Sequence, residues 1–106
     1  MTNILEKIIE DKKESLKLIK KSNSLDSLEN KTKEFKAFFD FKEAIQNNKG
    51  ISLITEIKKA SPSAGIIVKN FNHLNIAEKY IKNGATCLSV LTEEKYFLGK
   101  LDNLSE

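Results

Sequence analysis

The sequence lacks arginine and tryptophan, and it has only one cysteine, one proline and one histidine. Because Cys87 has no second cysteine to pair with, no internal disulfide can form, which is typical of a reducing compartment. No apolar run approaches the roughly 18 residues that a membrane span requires. The N-terminus alternates apolar and charged residues, unlike a secretory signal. We therefore expect a cytoplasmic protein that does not enter a membrane.

The missing arginine also bears on nucleic-acid binding. Arginine is the preferred residue for contacting phosphates and guanine. The 18 lysines and 15 acidic residues give a net charge of only +3, and the two signs are interspersed rather than gathered in a basic block. We expect no nucleic-acid partner.

The hydrophobic pattern changes near Gly50. Before it, apolar residues recur every three or four positions from Ile4 to Ile19, which predicts an amphipathic helix that the following polar residues end. A shorter helix is predicted over residues 25–32. We interpret residues 1–50 as a helical extension.

A third helix is predicted just before this change. Asp40 is its predicted N-cap, and Glu43, three residues later, completes a capping-box-like pair. The helix is expected to reach about Asn47.

The second half of the chain predicts a strand, a loop, a helix and a strand. Apolar, β-branched runs at residues 51–57 and 86–91 suit buried parallel strands. Between them, a long loop over residues 59–71 leads to a helix capped by Asn72. The predicted buried face of that helix consists of Ile76, Ala77, Tyr80 and Ile81.

This order is a βαβ unit, which is almost always parallel and right-handed. Two parallel strands need neighbours on both sides, so their inner face at Ile54, Ser89 and Leu91 is expected to be poorly covered. We interpret residues 51–106 as the opening of a larger α/β protein and the chain as a fragment. The C-terminal part is then expected to be missing. The residues leave open whether a second enzyme is fused downstream.

Glu56 and Lys58 are the most unusual feature. Residues two apart in a strand share a face, and the carboxyl end of a buried strand is where α/β proteins place their sites. An ion pair between them would fix the lysine ammonium group for contact with a carboxylate, phosphate or carbonyl oxygen. The alternative is that the strand simply ends here and both charges reach solvent.

Other candidates are weaker on the residues alone. Ser61 and Ser63 could offer hydroxyl groups to an anion, but a Ser-Pro-Ser turn is common without that role. Phe97 either covers an aromatic substrate or packs at a strand end. His73 is expected to be exposed, and Cys87 to act as a small hydrophobic residue. No His, Cys and acid grouping has metal-ligand spacing, and no nucleotide-binding glycine motif occurs.

Two long motifs carry a resemblance to a known family. Residues 54–65 read ITEIKKASPSAG and residues 88–99 read LSVLTEEKYFLG. At this separation they closely resemble indole-3-glycerol phosphate synthase, and the opening ILEKII resembles the first helix of that family. The resemblance implies the N-terminal portion of a (β/α)₈ TIM barrel with an extra helical segment, whose first two βα units are residues 51–106.

The resemblance also implies a function. Enzymes of this family are lyases of tryptophan biosynthesis that act on 1-(2-carboxyphenylamino)-1-deoxyribulose 5-phosphate without a cofactor or metal. The aromatic ring attacks the sugar carbonyl, and carbon dioxide and water leave. Glu56 and Lys58 match the catalytic pair, and the substrate-binding positions are Ser61, Leu91 and Phe97.

The sequence departs from the family pattern in three respects. A basic residue is common where Ala64 stands, and a proline where His73 stands. A second essential lysine, another catalytic glutamate and the phosphate-binding loops are expected beyond Glu106. We therefore expect the fragment by itself to be inactive, since loss of a general acid alone costs about 10²–10⁴-fold.

Two other interpretations stay open. One is a non-catalytic interaction module completed by a partner chain, in which Glu56→Gln would leave the role intact. The other is a different sugar-phosphate barrel enzyme, although that would need another residue in place of Lys58.

Overall fold

The computed structural model describes residues 3–106, which form two compact units. The first unit ends at Phe39 and the second runs from Asp40 to Glu106. The first unit consists of helices α1 (Ile4–Ser22) and α2 (Leu25–Thr32). Both helices were predicted, and the bounds of α2 coincide with the predicted ones.

The start of α1 has a capping box that the sequence interpretation missed. The side chain of Asn3 accepts a hydrogen bond from the backbone of Glu6 at 2.9 Å, and the Glu6 carboxylate accepts one from the backbone of Asn3 at 3.3 Å. These bonds satisfy N–H groups that have no partner within the helix. An Asn followed three residues later by Glu was the available signal.

The second unit is built around one parallel strand pair. Its elements are α3 (Phe41–Gln46), β1 (Ile54–Ile57), β2 (Ala60–Ser61), β3 (Gly65–Ile66), α4 (His73–Lys82), β4 (Cys87–Val90) and α5 (Asp102–Ser105). Strands β1 and β4 are parallel with α4 between them in the chain, which confirms the βαβ unit. The mixed helix–strand class is therefore as predicted.

Helix α3 begins as predicted but without a full capping box. The Asp40 side chain accepts from the backbone of Glu43 at 2.9 Å. The Glu43 carboxylate accepts from the Asn47 side chain at 3.3 Å, toward the other end of the helix.

Strand β1 is shorter than predicted, since residues 51–53 lie outside it. The carbonyl of Leu53 accepts from the backbones of Thr86 and Cys87, at the point where β4 begins. The ladder can start only where its partner strand starts, so an apolar run alone overestimates the strand.

The predicted loop over residues 59–71 contains a short hairpin, which corrects that prediction. Ala60 pairs with Ile66 and Ser61 with Gly65 in an antiparallel arrangement. Gly65 has a φ of +66°, a conformation that glycine adopts without strain. The carbonyl of Lys59 accepts from residues 67 and 68 and closes the hairpin base. The Ser-Pro-Ser sequence of residues 61–63 indicated a turn, but the strands are too short to show a pattern.

The buried core of the second unit is small. Ile57, Ala60 and Cys87 are its buried apolar side chains, and α4 lies against β1. Ile76, Ala77 and Tyr80 are half-buried, but Ile81 is 61% exposed, so its predicted burial is wrong. Ile81 is in the last turn of α4 and, by helical periodicity, lies at the edge of the stripe formed by Ile76, Ala77 and Tyr80.

The inner face of the strand pair is partly open. Ile54 is 55% exposed, as predicted, whereas Ser89 and Leu91 are half-buried. Of the helices within residues 3–106, none combines the length and apolar character needed to cross a bilayer.

Candidate functional site

Glu56 and Lys58 meet at the carboxyl end of β1. Lys58 Nζ lies 2.7 Å from Glu56 Oε1, and the two side chains are 29% and 48% exposed, respectively. Glu56 is opposite Ser89 in the strand ladder. Lys58 directly follows β1, and the contact between the two side chains shows that both charged groups lie on one face, as strand alternation predicts.

The Glu56–Lys58 ion pair adds little to the stability of the fold, but it gives this strand end a chemical capability. A partly exposed ion pair contributes only about 0–1 kcal/mol to folding, because water screens it and two long side chains are ordered. Its carboxylate holds an ammonium group in one place at an accessible strand end. An ammonium group so placed can bind an anionic group or donate a proton to a leaving oxygen.

The backbone of Glu56, which carries one side chain of the pair, is also fixed by a hydrogen bond. The hydroxyl of Tyr80, on α4, donates to the carbonyl oxygen of Glu56 at 2.9 Å. This bond ties the helix to the strand at the residue that carries the carboxylate. The sequence interpretation placed Tyr80 on the covered face of α4 but not in this contact.

Ser61 lies just beyond the pair, in β2, and is half-buried. Its hydroxyl oxygen accepts from the backbone of Ala64 at 3.2 Å and lies 3.4 Å from the hydroxyl oxygen of Ser63. The hydroxyl group therefore shapes the hairpin turn, and either serine can be the donor in the hydrogen bond between the two hydroxyl groups.

Leu91 and Phe97 lie at the carboxyl end of β4. The backbone of Leu91 donates to the carbonyl of Ile57 at 3.2 Å, which continues the ladder beside Lys58. Phe97 is half-buried in the loop that follows, and its backbone donates to the Glu93 carboxylate at 3.0 Å. All five predicted site residues thus belong to the carboxyl ends of β1 and β4 or to the segments just beyond them.

Glu93 is the residue of this region that the sequence interpretation missed. Its carboxylate accepts backbone hydrogen bonds from three successive residues, Lys95 at 3.0 Å, Tyr96 at 2.7 Å and Phe97 at 3.0 Å. An acid at the start of a polar loop, followed by several non-proline residues whose backbones carry N–H donors, was the available signal.

The predictions for His73 and Cys87 had different outcomes. His73 was expected to be exposed, but its side chain is 20% exposed and its Nε2 lies 2.6 Å from Glu106 Oε2. The short α5 brings that carboxylate to it. Cys87 is buried within β4, as a small hydrophobic residue should be. Within residues 3–106, no three His, Cys, Asp or Glu side chains are grouped to hold a metal ion.

Parallel strands joined by a helix, with a charged pair at their carboxyl ends, define an α/β protein of the class that binds ligands at that end of the sheet. The family model for "Indole-3-glycerol phosphate synthase" matches residues 5–106. The chain belongs to this family.

Curated relatives agree with the family match. The chain is 46% identical to the indole-3-glycerol phosphate synthase of Desulforamulus reducens, over 97% of this chain and 39% of that protein. It is 47% identical to the synthase of Aliarcobacter butzleri, over 96% of this chain and 40% of that protein. The chloroplastic synthase of Arabidopsis thaliana is 43% identical over 96% of this chain and 26% of that protein. The chain therefore spans about two fifths of the length of the bacterial relatives.

Proposed function

We propose that the chain is part of a (β/α)₈ barrel enzyme. Residues 1–50 are the helical extension, and residues 51–106 are the first two βα units. The parallel pair of β1 and β4 supports this proposal, as does the 55% exposure of Ile54 on the face that a barrel interior would cover. The cytoplasm is the proposed location, since the lone Cys87 is a free thiol.

The proposed reaction is the synthesis of indole-3-glycerol phosphate. The substrate is 1-(2-carboxyphenylamino)-1-deoxyribulose 5-phosphate, a small molecule with an anthranilate ring and a sugar phosphate. Attack of the ring on the sugar carbonyl forms the carbon–carbon bond, carbon dioxide leaves, and loss of water completes the indole. Family membership and the names of the relatives support this assignment.

The observation that carries the proposal is the Glu56–Lys58 ion pair within the matched region. Lys58 binds an anionic group of the substrate and supplies a proton during the loss of water. Glu56 orients the lysine and shares the acid–base work. Ser61 lies close to the substrate, and Leu91 and Phe97 line the pocket for the anthranilate ring. The remaining groups of the site are proposed to lie outside residues 1–106.

The test uses a chimeric protein in which residues 1–106 replace the matched segment of the Desulforamulus reducens relative. The chimera is expected to form indole-3-glycerol phosphate, followed by product fluorescence. Lys58→Gln is expected to lower kcat by about 10²–10⁴-fold, since a positioned acid–base group contributes that much.

Lys69→Gln is the matched control, because Lys69 is an exposed lysine of the same unit. It should retain the activity of the parent chimera. An inactive but folded parent chimera, or equal activity in the two variants, would contradict the proposal. Purification of residues 1–106 with a stoichiometric partner chain, unaffected by Glu56→Gln, would favour an interaction module instead.

A further inference from the structure

Glu93 begins the loop after β4, and its carboxylate holds that loop together. The backbone of Lys95 donates to Oε1 at 3.0 Å, and those of Tyr96 and Phe97 donate to Oε2 at 2.7 and 3.0 Å. Hydrogen bonds to an ionised acceptor are stronger than those between neutral groups. One half-buried side chain therefore fixes three successive backbone positions.

The same loop is closed a second time through its backbone. Gly99 donates to the Glu93 carbonyl at 2.8 Å, and a Cβ on Gly99 would lie only 2.0 Å from the carbonyl oxygen of Leu91. Leu98 has a φ of +53°, which a leucine adopts only where its surroundings impose it. The loop thus follows one defined path from the end of β4 back to it.

We propose that Glu93 is a positioning residue of the synthase site, which holds Phe97 where its ring contacts the anthranilate part of the substrate. This inference rests on the proposed function for the role of Phe97. The carboxylate oxygens of Glu93 accept from backbone amides of its own loop, that of Phe97 included, so Glu93 acts on the position of Phe97 through the backbone. The position of a ring follows from the backbone that carries it, and ring contacts depend on that position.

The variant that isolates this role is Glu93→Gln. It keeps the size of the side chain and one acceptor oxygen, but it places an NH₂ group against at least one of the three amides, where it cannot accept a hydrogen bond. Glu94→Gln is the matched control, because Glu94 is the exposed neighbour in the same loop. Both changes remove one negative charge from almost the same place.

Steady-state kinetics of the chimera provide the first measurement. Glu93→Gln is expected to raise KM by about tenfold and to change kcat less, because ring contact contributes to binding. Glu94→Gln should change KM by less than about twofold. A residue that only stabilises the fold would lower the unfolding temperature and the active fraction, but it would leave KM unchanged. Equal KM values in the two variants would overturn the inference.

A double-mutant cycle with Phe97→Ala tests whether the effect passes through that ring. If Glu93 acts through Phe97, the double variant has the same KM as Phe97→Ala alone. If the two effects on KM multiply, Glu93 acts by another route and the inference fails.

Amide hydrogen exchange separates this inference from the proposed function. Should the folded chimera lack activity, the proposed function fails, but exchange at residues 95–97 still reports on Glu93. Faster exchange there in Glu93→Gln than in Glu94→Gln would show that the carboxylate holds Phe97. Equal exchange in the two variants would overturn the inference.

Discussion

At the scale of single residues, Glu56 is held through both its side chain and its backbone. Its carboxylate pairs with Lys58 at 2.7 Å, and its carbonyl oxygen accepts from the Tyr80 hydroxyl at 2.9 Å. The first contact orients a charged group and the second fixes the backbone from which that group projects. Tyr80 therefore links α4 to the strand residue that carries the carboxylate of the Glu56–Lys58 pair.

Tyr80→Phe is expected to lower the free energy of unfolding of the chimera by about 1 kcal/mol. It removes the hydroxyl group and leaves the carbonyl of Glu56 without that partner. Urea denaturation measures the change. Glu78→Gln, at an exposed position on the same helix, should stay within about 0.5 kcal/mol of the parent. A Tyr80→Phe protein as stable as the parent would show that the hydrogen bond adds nothing.

The residue-level prediction from sequence succeeded where one rule of geometry was enough. Strand alternation, carried one residue past the end of β1, predicts that Glu56 and Lys58 share a face. Contacts between elements that are distant in the sequence, such as that of Tyr80 with Glu56, depend on how a helix packs on a strand. Local sequence patterns carry no information about that packing. Glu93 was missed for another reason: its partners are backbone amides, which every non-proline residue carries.

At the scale of elements, Gly99 and Gly50 differ in whether their position requires glycine. A Cβ on Gly99 would lie 2.0 Å from the Leu91 carbonyl oxygen and 2.7 Å from its carbonyl carbon. A Cβ on Gly50 would meet nothing within 4 Å. The loop after β4 therefore needs glycine at its closing position, and the turn before β1 does not.

Gly99→Ala in the chimera is expected to cost about 1–3 kcal/mol of unfolding free energy, because the loop must move away from β4. Gly50→Ala is expected to be neutral or to stabilise by about 0.4–1 kcal/mol, since alanine restricts the unfolded chain. Thermal or urea unfolding of the two proteins compares them directly. Equal stability of the two variants would mean that the loop does not return to β4 as described.

Elements were predicted best where the pattern was long. Helix α1 has enough turns for an apolar stripe that revealed it without its cap, and α4 begins directly after its predicted N-cap, Asn72. The hairpin of β2 and β3 has two residues in each strand, too few for alternation to appear. The limits of β1 depend on where β4 begins, which only the pairing reveals.

At the scale of the whole molecule, much apolar surface is exposed. In the second unit, exposed apolar side chains include Leu53, Ile54, Ile66, Ile67, Leu74 and Ile81. Its buried core consists of Ile57, Ala60 and Cys87. A short two-stranded parallel sheet with so small a core has little to offset the entropy of folding.

Residues 1–106 produced alone are expected to be molten or to self-associate. They should bind a hydrophobic dye such as ANS and should lose their helical circular dichroism gradually on heating. Size-exclusion chromatography would report association. A dye-free monomer with a sharp, cooperative transition would contradict this expectation.

Glu56 and Lys58 are proposed to face together the substrate of an indole-3-glycerol phosphate synthase. A crystal structure of the chimera with indole-3-glycerol phosphate bound tests this proposal most directly. We expect Lys58 Nζ within about 3.5 Å of both the Glu56 carboxylate and an oxygen of the ligand. A bound product with Glu56 and Lys58 directed away from it would contradict this expectation.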